Sequence, residues 1–414
     1  MNLMRAYLQQ LTYSISGSYW FVPSVMVLAA VLLSQGAIQI DRAYGSDWMA
    51  ESWWASLNQP DGARALLATV AGSMITVAGT TFSLTILAVS HATSHFGPRL
   101  LDNFMRDRGN QITLGTFVAT FIYCLLVLRV IRGSSESIDA FVPQLSLFLA
   151  LLLTLASVAE LIYFIHHIPE SIHISNVLQR MNGQMLSKFD ELYPATVGDA
   201  SPDEAPVYDF QATHKIASST HGYLQGVDEH SLMAIASDSK RVLRLRRRPG
   251  DFVRVGELIA EVDGDAEWSE TDDDRVRSAF AFGASRNPTQ DVFFVLNQFV
   301  EVAIRALSPG VNDPFTAMQC MDHLSVGLVE LSRRQLPSDH RVDDKGTLRI
   351  ITTEVKLEQF ATAMLDQVFP YAEDDVNTAK YYVETLQRVI DISDNAELVN
   401  IIEARVHRMQ KAIA

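Results

Sequence analysis

Residues 63–98 read ARALLATVAGSMITVAGTTFSLTILAVSHATSHFGP, and this stretch decides the fold class. Leu66 to Val89 carries no charge, and about 20 mostly apolar residues suffice for a helix to cross the hydrocarbon core of a bilayer. Within it Thr69, Ser73, Thr76, Thr80, Ser83, Leu87, Ser90 and Ser94 recur at steps of four and three, so one helical stripe carries a hydroxyl at every position but Leu87. Leu66, Val70, Val77 and Leu84 turn the other way. Small and hydroxyl residues let membrane helices approach closely and bond across the contact. The same stripe, repeated around an oligomer axis, would line a water-filled path. Both readings stay open at this level, and both make Thr69, Ser73, Thr76, Thr80 and Ser83 interface positions.

Outward from this helix, apolar runs are concentrated in the first 168 of 414 residues, and the remainder reads as water-exposed protein. A net charge of −15 argues against a nucleic-acid partner. Cys124 and Cys320 are far apart and suggest neither a disulfide framework nor a cysteine metal site.

The pattern predicts four membrane spans over about 19–40, 66–90, 112–131 and 141–165, making residues 1–168 a transmembrane domain in contact with lipid. Residues 1–17 read as an interfacial lead-in rather than a cleavable signal, because the apolar run after it is long and further spans follow. Trp20 and Phe21 suit the interface, as do Trp48, Trp53 and Trp54 in the loop expected over 41–62. Arg99, Arg106 and Arg108 follow the second span, and the bias of basic residues to the cytoplasmic side places both termini there. Glu160 lies in the last turns of the fourth span, and an acidic residue inside a membrane is a functional candidate by default. His166, Glu170 and His173 share a face at i, i+4 and i+7, either as weak metal-ligand candidates or as a solvated or inter-subunit polar face. The helix is expected to continue as a stalk, interrupted at Pro169, with a linker to about residue 204.

Residues 205–265 alternate as strands do, through HGYLQGVDEHSLMAIASDSK and VLRLRRRPGDFVRVGELIAEV. Their G-x-L, R-x-G-D-x-V and G-E-L-I pattern resembles a small barrel-sandwich domain of the biotinyl/lipoyl type. The lysine tip that such carriers modify is missing, so no cofactor is expected. Arg244, Arg246 and Arg248 fall on alternate positions, giving either a ligand- or lipid-binding basic face or a solvated strand partnered by acidic residues. Residues 266–414 read as a helical domain. Within it SPGVNDP at 308–314 forms a rigid corner, where Asn312 or Asp313 caps the helix opened by Pro314. A second role, as a contact to a subunit or ligand, stays open for both residues.

At these same residues the chain resembles the bacterial DUF2254 family of predicted integral membrane proteins. The resemblance is carried by residues 63–101, YFIHHIPESI, HGYLQGVDEHSLMAIA with RRRPGDFVRVGELI, and ALSPGVNDPFTA. It implies a multi-pass protein of the bacterial inner membrane with a cytoplasmic C-terminal region, and it implies no activity.

No Walker-type phosphate loop, zinc-protease His-Glu pattern or nucleophile elbow occurs, so an enzyme is not expected. The leading expectation is a homo-oligomeric channel or transporter-like pore for inorganic ions, lined by the second span and regulated by the C-terminal region. The alternative is a membrane-anchored sensor or scaffold. Topology reporters fused after Arg108 and after Ala414 should both report the cytoplasm; a periplasmic signal from either overturns the orientation.

Overall fold

The computed structural model describes residues 18–44, 59–97, 107–133, 141–193, 208–264, 268–353 and 355–414. The lead-in at 1–17, Trp48, Trp53, Trp54, Arg99, Arg106 and most of the linker lie outside the described residues. The chain divides into two compact units, one over 18–94 and 107–173, the other over 174–414 together with 95–97.

The first unit contains four helices long and apolar enough to cross a membrane: α1 (Phe21–Tyr44), α2 (Pro60–Phe96), α3 (Arg108–Leu128) and α4 (Gln144–Ile172). The second and fourth are longer than the expected spans. At 37 residues, α2 is about 55 Å long, well beyond the hydrocarbon thickness. α3 packs on both α1 and α4. A Cβ at Gly115 of α3 would run into Met26 Sδ of α1, so glycine permits that approach. α2 turns Ala63, Leu67, Ala71, Met74 and Ala78 inward, at a helical step of three and four. α4 ends at His173, whose extended backbone breaks the helix four residues after Pro169.

The second unit begins with α5 (Ile174–Leu192). Its apolar stripe of Val177, Leu178, Met181, Met185 and Phe189 is buried, and α5 packs on helices from far along the chain. The helix expected to continue past Pro169 as a stalk runs to Leu192 and packs within the second unit. An amphipathic helix with so continuous a stripe is driven to bury it.

Two sheets follow. One has the order β1-β5-β3-β8-β7, built from β1 (Ala212–Ala217), β3 (Val242–Leu245), β5 (Leu258–Asp263), β7 (His340–Val342) and β8 (Leu348–Ile351). Its pairs are antiparallel except β3 with β8. The other has the order β4-β2-β6, from β2 (Gly222–Val227), β4 (Phe252–Val253) and β6 (Phe280–Gly283). Ile216, Leu224, Leu243, Ile259, Val262 and Ile350 share one core. Between β2 and β3 the stretch read as strand forms α6 (Glu229–Ser239) instead. Asp228 caps it by accepting from the Ser231 N–H at 3.0 Å, and Lys240 ends it at φ +55°. Leu232, Ile235 and Ala236 share its buried face, a period of 3.6 that the strand reading overlooked. Because β6, β7 and β8 come from the region expected to be helical, residues 205–265 are not a self-contained barrel-sandwich. The observed class is α+β with a mixed sheet.

α7 (Glu270–Ser278) carries a capping box between Ser269 and Asp272. Then come α8 (Val292–Ala306), α9 (Pro314–Ser332), α10 (Leu357–Ala361), a π-helical turn over Thr362–Asp366, α11 (Phe369–Ala372), α12 (Val376–Ile392) and α13 (Ala396–Ile413). Asp291, Asp313, Asp375 and Asn395 cap α8, α9, α12 and α13, each accepting from the third residue onward. Arg405 of α13 fastens the π turn. Its guanidinium donates to Asp366 at 2.9 and 2.8 Å, to Glu358 at 2.8 Å and to Thr362 Oγ1 at 3.2 Å.

Two stability predictions follow from this helical core. Arg405→Met should lower unfolding free energy by about 2 kcal/mol or more, since charge-assisted bonds are lost and their carboxylates stranded. Asp375→Ala should cost about 1 kcal/mol as a lost cap. Bonds from the Thr378 backbone N–H and then its hydroxyl hold the Asp375 carboxyl below its ordinary value. Its contribution is thus full above the unfolded aspartate value of about 3.9 and is lost as pH falls through the lower folded value. Denaturant titrations of both variants across acid pH check this.

Candidate functional site

In the first unit one line of polar side chains follows the seam between α3 and α4. On α3 it follows Asp107, Asn110, Thr113, Thr120 and Tyr123, and on α4 it follows Ser146, Ser157, Glu160 and His167. These steps of three, seven and eleven keep each set on one helix face. From Ser146 to His167 the line runs about 32 Å at 1.5 Å per residue, about the thickness of a hydrocarbon core.

At one end stands Asp41, in the last turn of α1 and 1 % exposed. Pro143, at the N-cap of α4, has no side-chain bond to offer. Asp41 takes over: its carboxylate accepts from the backbone N–H groups of Leu145 and Ser146, both at 3.0 Å, and from Ser146 Oγ at 2.7 Å. Three donors and the positive end of α4 compensate a charge that burial alone would make costly. Beside it the Tyr123 hydroxyl donates to the Ser146 carbonyl at 3.1 Å. Arg64 of α2 donates to the Ile131 carbonyl at 2.9 Å.

Along the seam, Thr120 and Ser157 hydroxyls lie 3.0 Å apart, and Thr113 donates to Glu160 Oε1 at 2.6 Å. At the far end Asp107 caps α3 and meets His167 Nε2 at 3.0 Å, while the Tyr163 hydroxyl meets Nδ1 at 3.1 Å. Both ring nitrogens thus have partners, Asp107 on Nε2 and Tyr163 on Nδ1. The glycine at 109 is required here. A Cβ would stand 2.8 Å from His167 Nε2 and 2.9 Å from Tyr163 Oη. The seam thus joins three acidic groups and a histidine within the membrane-crossing unit, the residue types that hold or pass a proton.

The other sequence candidates are placed separately. Thr69, Ser73, Thr76, Thr80 and Ser83 are all exposed on α2, apart from the seam. Glu160 is in the seam. His166 and Glu170 pair at 3.3 Å on an exposed face. His173 has left the helix, so the i, i+4, i+7 face is not completed, and no cluster of three or more metal-binding side chains occurs among the described residues. The basic face is largely occupied. Arg244 lies over Phe210 at 4.0 Å, Arg246 pairs with Glu261 at 2.5 Å, and Arg248 donates to Gln359 at 2.8 Å while covering Phe293. These partners are not the acidic residues at 272–274, which pair with Arg275 and Arg277 of α7, Asp273 also accepting from Trp268 Nε1. Asp313 caps α9 through Thr316, whose N–H and hydroxyl it accepts at 3.1 and 2.6 Å. Asn312 is exposed at φ +49°.

Asp41 and the Asp107–His167–Tyr163 group escaped the sequence reading, which left Asp41 in a loop. The available signal was Pro143: a helix opened after proline lacks a side-chain cap, so its first N–H groups need an acceptor from elsewhere. Asp41→Ala should be the most damaging change in the first unit, costing about 3 kcal/mol, because it strands two buried N–H groups and a hydroxyl. Asp41→Asn should fall between it and the wild type. Gly109→Ala should destabilise by pushing His167 off Asp107. Thermal unfolding of the full chain in detergent orders the three.

The family model described as "Predicted membrane protein (DUF2254)" matches residues 16–388. Uncharacterized proteins of Mycobacterium bovis and of two Mycobacterium tuberculosis strains are 34 % identical over 339 residues, which is 81 % of this chain and 64 % of theirs. The chain thus spans less than two thirds of the length of these curated relatives. No solved structure matches it. A match over so much of the length, in a chain with four apolar helices of membrane-crossing size, places this protein in the DUF2254 family of predicted membrane proteins.

Proposed function

We propose that the protein is a homo-oligomeric transport protein of the bacterial inner membrane, in which the α2 faces of several subunits meet about a common axis and pass a small inorganic ion. One observation carries this reading. The inward stripe of α2 is packed, yet its outward stripe of Thr69, Ser73, Thr76, Thr80 and Ser83 is exposed throughout. Gly72 and Gly79 lie beside that stripe, and nothing stands within 4 Å of where a Cβ would be at either. Small residues at that spacing are what membrane helices use to approach one another. The C-terminal unit, facing the cytoplasm, would regulate passage, and no catalytic step is involved.

A second reading has its own support. Thr69, Thr76, Thr80 and Ser83 each donate to the carbonyl four residues earlier, at 2.8 to 3.0 Å. Hydroxyls satisfied within the helix need no lumen water. That favours a membrane-anchored scaffold or sensor in which α2 only packs.

Single cysteines separate the readings, and the two native cysteines are buried and give little background. Cysteines replacing Thr76 and Thr80 should cross-link between subunits, while those replacing the half-buried Val70 and Val77 should not. Purified protein in liposomes should then pass ions under the transport reading and none under the scaffold reading. Equal cross-linking of both pairs, or of neither, removes the α2 interface on which both rest.

A further inference from the structure

The helical part of the second unit contains an open groove between α9 and α12, with a volume of about 340 Å³. That is the size of pockets that take small molecules. Val326 and Val329 of α9 face Val389 and Ile392 of α12 across it, and Val326 and Ile392 are exposed. At its floor is Thr385, 4 % exposed, whose hydroxyl has no hydrogen-bond partner among the described residues. This is unusual for a helical threonine in this protein, since Thr69, Thr76 and Thr80 all bond back to their own helix.

Behind Thr385 lies a chamber of about 10 Å³, which shares Ser325 and Thr385 with the groove. Tyr382 stands in its wall, 2 % exposed, and its hydroxyl is likewise without a partner. Burial pushes the Tyr382 phenol well above its ordinary value, so it remains an O–H donor. The π-helical turn supplies Met364 and Leu365 to the same wall, and such turns recur at functional sites. Two buried donors left unpaired are unfavourable, and an acceptor entering from the groove relieves Thr385, the one that lines it.

The charges at the mouth point to the other end of the ligand. Asp322 accepts from the Tyr381 hydroxyl at 2.8 Å, and Glu330 is shared by Arg333 at 3.5 Å and Arg334 at 3.4 Å. Arg388 lines the groove and forms no ion pair among the described residues. Its guanidinium suits a carboxylate.

We propose that this groove binds a small aryl or short alkyl carboxylate, with its carboxylate on Arg388, its apolar body between the valines of α9 and α12, and an oxygen at its far end accepting from Thr385. The proposal goes beyond the transport reading and holds whether or not the protein passes ions.

The probe is para-hydroxyphenylacetate, titrated calorimetrically into the full chain in detergent beside phenylacetate and tyramine. The para-hydroxy acid should bind saturably. Phenylacetate, lacking the far oxygen, should bind about tenfold more weakly, the equivalent of one hydrogen bond. Tyramine, lacking the anion, should not bind. Thr385→Val should weaken the para-hydroxy acid about tenfold while its thermal midpoint stays level or rises, because an unpaired buried hydroxyl is removed. Arg388→Gln should erase the preference for the carboxylate. No saturable binding by the wild type, or wild-type binding in both variants, overturns the proposal. So does a Thr385→Val midpoint that falls with binding unchanged, which would assign the hydroxyl to a buried water.

Discussion

A carboxylate sealed among helices of membrane-crossing length is the constraint on which the first unit depends. Asp41 has no water to turn to, and α4 opens at a proline that leaves its first N–H groups uncapped. Each deficit is the other's remedy, so α1 and α4 are joined where neither would be stable alone. Arg64 does the converse at Ile131, covering a carbonyl beyond the end of α3. From these anchors the α3–α4 seam continues through Thr120–Ser157 and Thr113–Glu160 to Asp107–His167–Tyr163. Its hydrogen bonds hold the helices in one register, as apolar contacts in a lipid-like setting do not.

The second unit solves a similar accounting problem with different means. Five of its helices begin at an Asp or Asn that accepts from the first turn, so their N-termini need no distant partner. The π-helical turn has no side-chain cap, and there Arg405 reaches from α13 to hold Asp366, Glu358 and Thr362. Close to that turn are the two hydroxyls, on Tyr382 and Thr385, that nothing satisfies among the described residues.

How much of this was legible in the residues varies by kind of interaction. The four membrane helices were legible because twenty apolar residues in a row admit few other structures. So was the Asp313 cap, because Asn-Asp-Pro is a local signal read within four residues. The strand reading of 229–239 failed because Leu232, Ile235 and Ala236 fit a helical face as well as an apolar stretch of strand, and β-propensity is weak evidence over so short a run. The basic face of Arg244, Arg246 and Arg248 was visible as charge, but the glutamate, glutamine and aromatic partners that occupy it come from residues 210, 261, 293 and 359.

By itself, then, the sequence determined what depends on neighbours along the chain: spans from continuous hydropathy, caps from short motifs, and an α2 face rich in hydroxyls from a step of three and four. Only the tertiary structure decided what depends on partners far apart. It placed Asp41 against residues more than a hundred positions away, inserted β8 beside β3, and buried α5 in the second unit rather than leaving it as a stalk. It also showed that the hydroxyls of α2 face outward and bond to their own helix. The physical reason is common to all of these. A buried polar group or apolar stripe announces that it needs a partner, but many residues are chemically adequate, and only the folded chain selects the one within reach.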